Sequence, residues 1–215
     1  MFKIEKMDLL VAIYIFCIIV SELMGAKTFP LLDLGFYKLN ASVAIFLIPL
    51  LFSINDIIVE VHGAERARSV VRSGLLTIGL LLGFIMFAIY LPPSMRFKES
   101  EPAYDTIFGK SARIALASIT AFALADFLDI YIFSKIRKKL GKSKLWLRNN
   151  LSNFAAQFID TTVFLTLAFY ALDKGFADNW GFLVSLIIPY WLLKCSMSVI
   201  ETPLVYIGVK WLKVK

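Results

Sequence analysis

This sequence predicts an all-α fold class: a polytopic membrane protein folded as a bundle of six transmembrane helices. Of its 215 residues, 59% are hydrophobic and 18% are charged, whereas a soluble domain is about 45–50% apolar and about 25% charged. Spanning a bilayer takes about 20 mostly apolar residues. Six windows meet that length: 8–29, 40–61, 69–92, 112–134, 150–172 and 181–209. We therefore expect residues 1–215 to form one membrane domain.

The six windows predict helices, because they lack the apolar-polar alternation of transmembrane strands. The first window is not followed by a small-residue cleavage site, so we expect it to be retained as a span. The sixth window is long and contains Pro189 and Pro203. Each proline removes one backbone hydrogen bond, so this span is expected to tilt or kink.

The distribution of basic residues predicts the orientation of the chain. Its net charge is +7, with 23 lysines and arginines in total. Most of them lie on the side of the membrane that holds both termini, and the strongest cluster is the loop at 134–149. Because basic residues collect in cytoplasmic loops, both termini are predicted to be cytoplasmic. The positive charge is thus explained by topology, and no nucleic-acid partner is expected.

Polar side chains inside the predicted spans are the main sign of function. A charged residue at the bilayer centre costs about 2.5–3.5 kcal/mol on insertion scales, so it needs a partner, a cavity or a role. The candidates occur on five of the six spans: Glu22; Asn55, Asp56 and Glu60; Asp126 and Asp129; Asn153, Gln157 and Asp160; Lys194 and Glu201. Their spacings of three, four and seven residues place each set on one face of its helix.

Span five is the predicted centre of a ligand site. Gln157 and Asp160 lie about halfway across it, with Asn153 one turn earlier, and Lys194 is predicted near the midplane of span six. Helix–helix hydrogen bonding is the alternative explanation for the two span-five residues. For Lys194 the alternative is a structural ion pair with Glu22, Asp160 or Glu201.

The carboxylates of spans two and four lie toward the cytoplasmic side. Two interpretations stay open for them, a gate for the ligand or ion pairs with the basic loops. The carboxylates are Asp56 and Glu60 on span two and Asp126 and Asp129 on span four. Asn55 on span two and Glu201 on span six are grouped with them, and Arg68 is among the basic partners.

The aromatic residues Phe158 and Trp191 lie deep in their spans and could flank a planar ligand, although ordinary packing explains them equally well. No catalytic, metal or cofactor site is expected, since the chain has one histidine and no phosphate-binding glycine loop. Two membrane aspartates, Asp56 and Asp126, could suggest an intramembrane aspartyl protease. Their flanking residues do not resemble the glycine-containing motifs of those enzymes.

Three ordered motifs carry a resemblance to a known family. The first runs from Asn55-Asp56 to His62-Gly63, followed by Ala67-Arg68. The second is the stretch 125–133, beginning Ala125-Asp126-Phe127. The third combines Trp146-Leu147-Arg148-Asn149-Asn150 with Gln157-Phe158-Ile159-Asp160-Thr161. Together they resemble the queuosine precursor transporter family, also called the vitamin-uptake-like family, over about residues 8–209.

The resemblance implies import of 7-deazaguanine precursors of the tRNA base queuosine across the bacterial cytoplasmic membrane. A carboxylate such as Asp160 could accept from the adjacent N–H donors of a guanine-like edge, and Gln157 or Asn153 could donate to its carbonyl. Two further alternatives are the substrate-binding subunit of an energy-coupling complex and a transporter of another purine-like or vitamin ligand. A homodimer is compatible with the small size of the chain and the glycines of span three.

Overall fold

The structure is a computed structural model that describes residues 4–35, 38–140, 145–200 and 202–213, without the side chains at 64, 125–153, 155–156 and 197–204. Within these described residues, seven α-helices, two strands and one 3₁₀ turn follow one another. They are α1 (Lys6–Met24), β1 (Thr28–Asp33), β2 (Lys38–Ser42), the 3₁₀ turn (Val43–Phe46), α2 (Ile48–His62), α3 (Ala64–Tyr90), α4 (Glu101–Leu140), α5 (Leu145–Phe169), α6 (Phe176–Ile200) and α7 (Thr202–Lys213).

Five helical stretches among the described residues are long and apolar enough to cross a membrane. They are Lys6–Met24, Val43–His62, Glu65–Tyr90, Glu101–Leu124 and Phe176–Ser196. A sixth apolar stretch in α5, Gln157–Phe169, is shorter. The all-α polytopic fold class is thus confirmed, and the number of six spans stays a prediction.

A β-hairpin separates the first two helices where the hydropathy windows predict none. Strands β1 and β2 pair in a two-stranded sheet. Before the turn, the backbone N–H of Gly35 donates to Asp33 Oδ1 at 2.9 Å, and Gly35 has a φ of +80°. This conformation suits glycine, which has no Cβ to clash. An ion pair between Lys38 Nζ and Asp33 Oδ2, at 3.4 Å, joins the two strands.

The sixth hydropathy window is divided between two helices, α6 and α7. Pro189 is accommodated inside α6, whereas Pro203 is the second residue of α7. Proline cannot donate a hydrogen bond to the preceding turn, so it suits the start of a helix. Pro203 therefore lies at a place in α7 where a helix tolerates proline.

The helices belong to two compact units. The first comprises Met1–Phe29, Ser42–Ala115 and Ser196–Lys215, and the second comprises Pro30–Ala41 and Leu116–Cys195. In the first unit α1, α2 and α3 pack together, and α7 packs on α2. A buried hydroxyl, Ser111 Oγ, donates to the carbonyl of Leu23 at 2.8 Å and so joins α4 to α1. That residues 1–215 form a single domain stays a prediction.

The second unit is organised around α5 and α6. These helices are joined by a short turn, and a short connection makes consecutive helices antiparallel neighbours. The buried side chain of Asn179 closes that turn, because it accepts from Ala171 N–H at 2.7 Å and donates to the carbonyls of Ala171 and Lys174 at 2.8 and 3.0 Å. Strand β2 also contacts α6, since Asn40 Nδ2 donates to Ser185 Oγ at 2.8 Å.

Replacing Asn179 with alanine is expected to lower the free energy of unfolding by about 1–3 kcal/mol. The substitution leaves the Ala171 amide and carbonyl without a side-chain partner in a buried place, and each unsatisfied group of that kind is costly. Thermal unfolding of the purified protein in detergent measures the change. Asp173→Ala, at an exposed position in the same turn, is the matched control and should unfold at the wild-type temperature. Equal unfolding temperatures for both variants would contradict the role given to Asn179.

Candidate functional site

An ion pair between two helices is the centre of the candidate site. Lys194 Nζ on α6 lies 2.6 Å from Asp160 Oδ2 on α5. The lysine side chain is 16% exposed and the aspartate side chain 27% exposed. Charge-assisted hydrogen bonds of this length are stronger than neutral ones. Of the three partners considered for Lys194 from the sequence, the structure pairs it with Asp160.

The direction of the two side chains explains how they meet. Helical side chains lean toward the N-terminus of their own helix. Asp160 therefore leans away from the α5–α6 turn, whereas Lys194 leans back toward it. Lys194 lies further along its helix from that turn than Asp160 does, and the opposed directions close the gap. Lys194 lies in the last third of α6, and its place near the midplane of the membrane stays a prediction.

Aromatic and polar neighbours surround the ion pair on the same two helices. The rings of Phe158 and Trp191 meet edge to face, with centroids 5.5 Å apart. Trp191 Nε1 donates to the carbonyl of Phe154 at 3.4 Å. Next to them, Cys195 Sγ lies 3.9 Å from Gln157 Oε1. Five of the residues predicted for the ligand site are thus brought together: Gln157, Phe158, Asp160, Trp191 and Lys194.

Thr161 is a member of this cluster that the sequence reading missed. It is 1% exposed, and its hydroxyl has no hydrogen-bond partner among the described residues. It follows Phe154, Gln157 and Phe158 by seven, four and three residues, which places it on the α5 face that contacts α6. A buried hydroxyl without a partner costs stability. Threonine is common in membrane helices, where it usually bonds to its own backbone, so its residue type gave no signal.

The remaining predicted residues whose side chains the structure describes lie on other helices. Glu22 is a buried residue of α1, in the first unit. Asp56 and Glu60 are exposed on α2, and Asn55 is partly exposed. Arg68 pairs with Glu65, one turn earlier on α3, at 2.7 Å. Four predicted positions have side chains outside the described part of the chain: Asp126, Asp129, Asn153 and Glu201.

The arrangement suits recognition of a polar, planar molecule. Lys194 is a hydrogen-bond donor and Asp160 an acceptor, and they stand side by side between apolar helices. Gln157 carries both a donor and an acceptor, and the Thr161 hydroxyl can serve as either. Aromatic rings next to these groups could cover the face of a flat ring system. Few polar groups placed in an apolar setting are typical of small-molecule sites.

Comparison with known proteins points to a transporter. A family model described as "Putative vitamin uptake transporter" matches residues 42–208. A Bacillus subtilis (strain 168) protein named "Probable queuosine precursor transporter" is 32% identical over 196 residues, which cover 91% of this chain and 81% of the relative. The "Queuosine precursor transporter" of Escherichia coli (strain K12) is 26% identical, over 70% of this chain and 64% of the relative.

A "Probable queuosine precursor transporter" of Haemophilus influenzae is also 26% identical, over 62% of this chain and 54% of the relative. The chain thus spans less than two thirds of the Escherichia coli and Haemophilus proteins. No solved structure gives a significant match. The family match covers most of the apolar helices described above, and the Bacillus relative is similar over nearly the whole chain. The chain is therefore a multi-pass membrane protein of the vitamin-uptake-like family, the queuosine precursor transporter family.

Proposed function

We propose that this chain imports 7-deazaguanine precursors of queuosine, 7-cyano-7-deazaguanine or its 7-aminomethyl counterpart, into the cytoplasm. Two independent lines support the proposal. The curated relatives are named queuosine precursor transporters, and the α5–α6 site has the hydrogen-bonding groups that a guanine-like edge requires. The single observation that carries it is the contact between Lys194 and Asp160 at 2.6 Å.

That contact places a donor beside an acceptor, and a guanine-like edge carries the complementary set. Its ring carbonyl accepts, and the neighbouring ring N–H and amino groups donate. The Asp160 carboxylate could accept from both donors, because its two oxygens offer about four lone-pair positions. Lys194 could then donate to the carbonyl, as could Gln157. The rings of Phe158 and Trp191 could flank the bicyclic ring.

The ligand site is therefore proposed to contain Gln157, Phe158, Asp160, Trp191 and Lys194, with Thr161 as an addition, and with Asn153 and Glu22 as further candidates from the sequence. A gate or ion-pair network is proposed from the residues toward the cytoplasmic side. These are Asn55, Asp56, Glu60, Arg68, Asp126, Asp129 and Glu201. Alternating access around a polar centre is a common arrangement in transporters of small molecules.

The cellular setting is part of the same proposal. The named relatives are bacterial proteins, which supports a place in the bacterial cytoplasmic membrane. The basic residues favour an orientation with both termini in the cytoplasm. A homodimer is supported by Gly79 and Gly83 on α3, where an added Cβ would meet no atom within 4 Å. Small residues on an open helix face allow close helix approach. We propose that the chain acts on its ligand by transport alone, without catalysis.

Uptake by the purified chain in liposomes tests this function directly. Radiolabelled 7-cyano-7-deazaguanine is expected to accumulate inside liposomes that contain the protein and to remain chemically unchanged. Liposomes without protein provide the background, and excess unlabelled ligand should abolish the signal. Absence of both binding and uptake would contradict the proposal.

A different outcome would favour the second candidate. If the purified chain binds the ligand but does not move it into liposomes, the chain behaves as the binding subunit of an energy-coupling complex. Recovery of a chemically altered ligand would instead indicate an intramembrane enzyme. The three outcomes are distinguished by measuring bound, internalised and modified ligand in the same preparation.

A further inference from the structure

We infer that the α5–α6 site is selective for an uncharged purine-like ligand over one that carries an ammonium group, and that Lys194 is the residue that sets this selectivity. The inference rests on the proposed function and deepens it, because the two candidate precursors differ in this property. The cyano compound is neutral. The aminomethyl compound carries an aliphatic amine, which, like that of lysine, is protonated below about pH 10.

The charge of the site is the first step of the argument. Within 157–169 on α5 and 180–196 on α6, the charged side chains are Asp160 and Lys194. They contact each other at 2.6 Å, so each neutralises the other. The hydrogen-bonding groups beside them, the Gln157 amide and the Thr161 hydroxyl, are uncharged. These two segments thus offer a ligand polar contacts but no net charge.

The apolar surroundings of the ion pair make the neutralisation of its charges important for ligand binding. Lys194 and Asp160 are only 16% and 27% exposed, and they lie on helices whose other residues in these segments are largely apolar. In such a medium, charges interact far more strongly than in water, and an uncompensated charge is costly. A neutral ligand can form hydrogen bonds with the Lys194–Asp160 pair without leaving any charge uncompensated. An ammonium-bearing ligand must either displace Lys194 from Asp160 or remain without a counter-charge on these helices.

Lys194 therefore excludes the cation by occupying the carboxylate that would attract it. Removing the lysine charge has two opposite consequences. The Asp160 carboxylate is then no longer neutralised, and its charge attracts an ammonium group elsewhere on the ligand strongly in this apolar medium, so binding of the cationic ligand strengthens. At the same time both ligands lose the donor to their ring carbonyl, which weakens the binding of each and cancels in the affinity ratio. The uncompensated charge of Asp160 therefore shifts the ratio toward the cation.

Competition binding with the two precursors tests the inference. The wild-type protein is expected to bind 7-cyano-7-deazaguanine at least about tenfold more tightly than the aminomethyl compound, a difference of about 1.4 kcal/mol. In Lys194→Met the ratio is expected to shift by about 100-fold and so to favour the aminomethyl compound. In the double variant Asp160→Asn with Lys194→Met, which has no charge at either position, the preference should return to the neutral compound.

The controls separate charge selectivity from damage to the fold. Lys174→Met, at an exposed position in the α5–α6 turn, should keep the wild-type ratio. A wild-type protein that binds both compounds equally, or prefers the cation, would overturn the inference and leave the proposed function standing. A wild-type protein that binds neither compound would overturn the proposed function itself. If Lys194→Met fails to fold, the wild-type ratio still tests the selectivity, and the double variant, which has no unpaired charge, tests the role of the ion pair.

Discussion

Asp160→Asn is expected to weaken binding of a 7-deazaguanine ligand by about 100-fold, or about 3 kcal/mol, and to reduce uptake in proportion. Asparagine has nearly the shape of aspartate but a single carbonyl acceptor and an amide donor. Its amide N–H₂ would face the donors of the guanine-like edge, where the carboxylate of Asp160 accepts from both. Losing a hydrogen-bonded charge from a partly buried site commonly costs this much.

The same substitution has a second consequence, because it leaves Lys194 without its counter-ion at 16% exposure. Breaking a buried ion pair by removing one partner is strongly destabilising. Binding and stability must therefore be measured on the same preparation, by ligand titration and by thermal unfolding in detergent. The double variant Asp160→Asn with Lys194→Met should unfold close to the wild-type temperature and still fail to bind tightly. That result separates the ligand contact from the structural ion pair.

Asp173→Asn is the matched control, since it makes the same chemical change at an exposed position in the α5–α6 turn. It should retain wild-type affinity and uptake. If a folded Asp160→Asn protein binds and transports like the wild type, Asp160 is not a ligand residue and the 2.6 Å contact is only structural.

Hydropathy could predict the helices because burying about 20 apolar residues in lipid dominates the energetics of such a chain. It could not predict the β1–β2 hairpin, because averaging over 20 residues hides two strands of five or six residues. It also could not predict the first turns of α4. The segment from Glu101 to Ser111 is polar enough to lie outside the apolar window, yet it continues the same helix. An acidic residue in its first turn, Glu101, suits the N-terminal helix dipole.

The candidate site could be predicted only in part, for a geometric reason. Residue type and depth made Gln157, Asp160 and Lys194 candidates, since ionisable groups in a membrane helix need partners. Which carboxylate Lys194 meets depends on the rotation and the relative height of α5 and α6. Neither quantity is visible in a hydropathy profile. Side-chain packing between the helices decides both, and it also buries Thr161, whose residue type gives no warning.

Gly208→Leu is expected to displace α7 from α2 and to destabilise the protein by about 3 kcal/mol, the upper end of the usual cost of overpacking. Even a Cβ added at Gly208 would meet the Cδ1 atom of Ile57 and would lie 2.8 Å from its Cγ1 atom. Ile57 cannot easily move aside, because it is buried on α2 and its β-branched side chain has few allowed rotamers. A leucine adds three more carbon atoms at the same point.

A graded series makes this prediction sharp. Gly208→Ala should lower the unfolding temperature less than Gly208→Leu, because only one methyl group must be accommodated. Gly109, exposed on α4, provides the control, since a Cβ there meets no atom within 4 Å. Gly109→Ala should leave stability unchanged or raise it by up to about 1 kcal/mol, the difference in helix propensity between the two residues. Equal effects at the two glycines would show that α7 is not tightly packed on α2.

The effect of Gly208 substitutions on transport follows from the residues of the proposed gate that lie on α2. Ile57 is next to Asp56 and one turn before Glu60, two residues of the proposed gate. If the contact between α7 and α2 fixes that face of α2, Gly208→Ala should reduce the rate of uptake in liposomes more than it reduces ligand affinity at the α5–α6 site. The rate and the affinity are measured separately, by initial uptake and by equilibrium binding. An equal loss of both would mean that the substitution acts on the whole fold, and a folded variant with wild-type uptake would remove α7 from the mechanism.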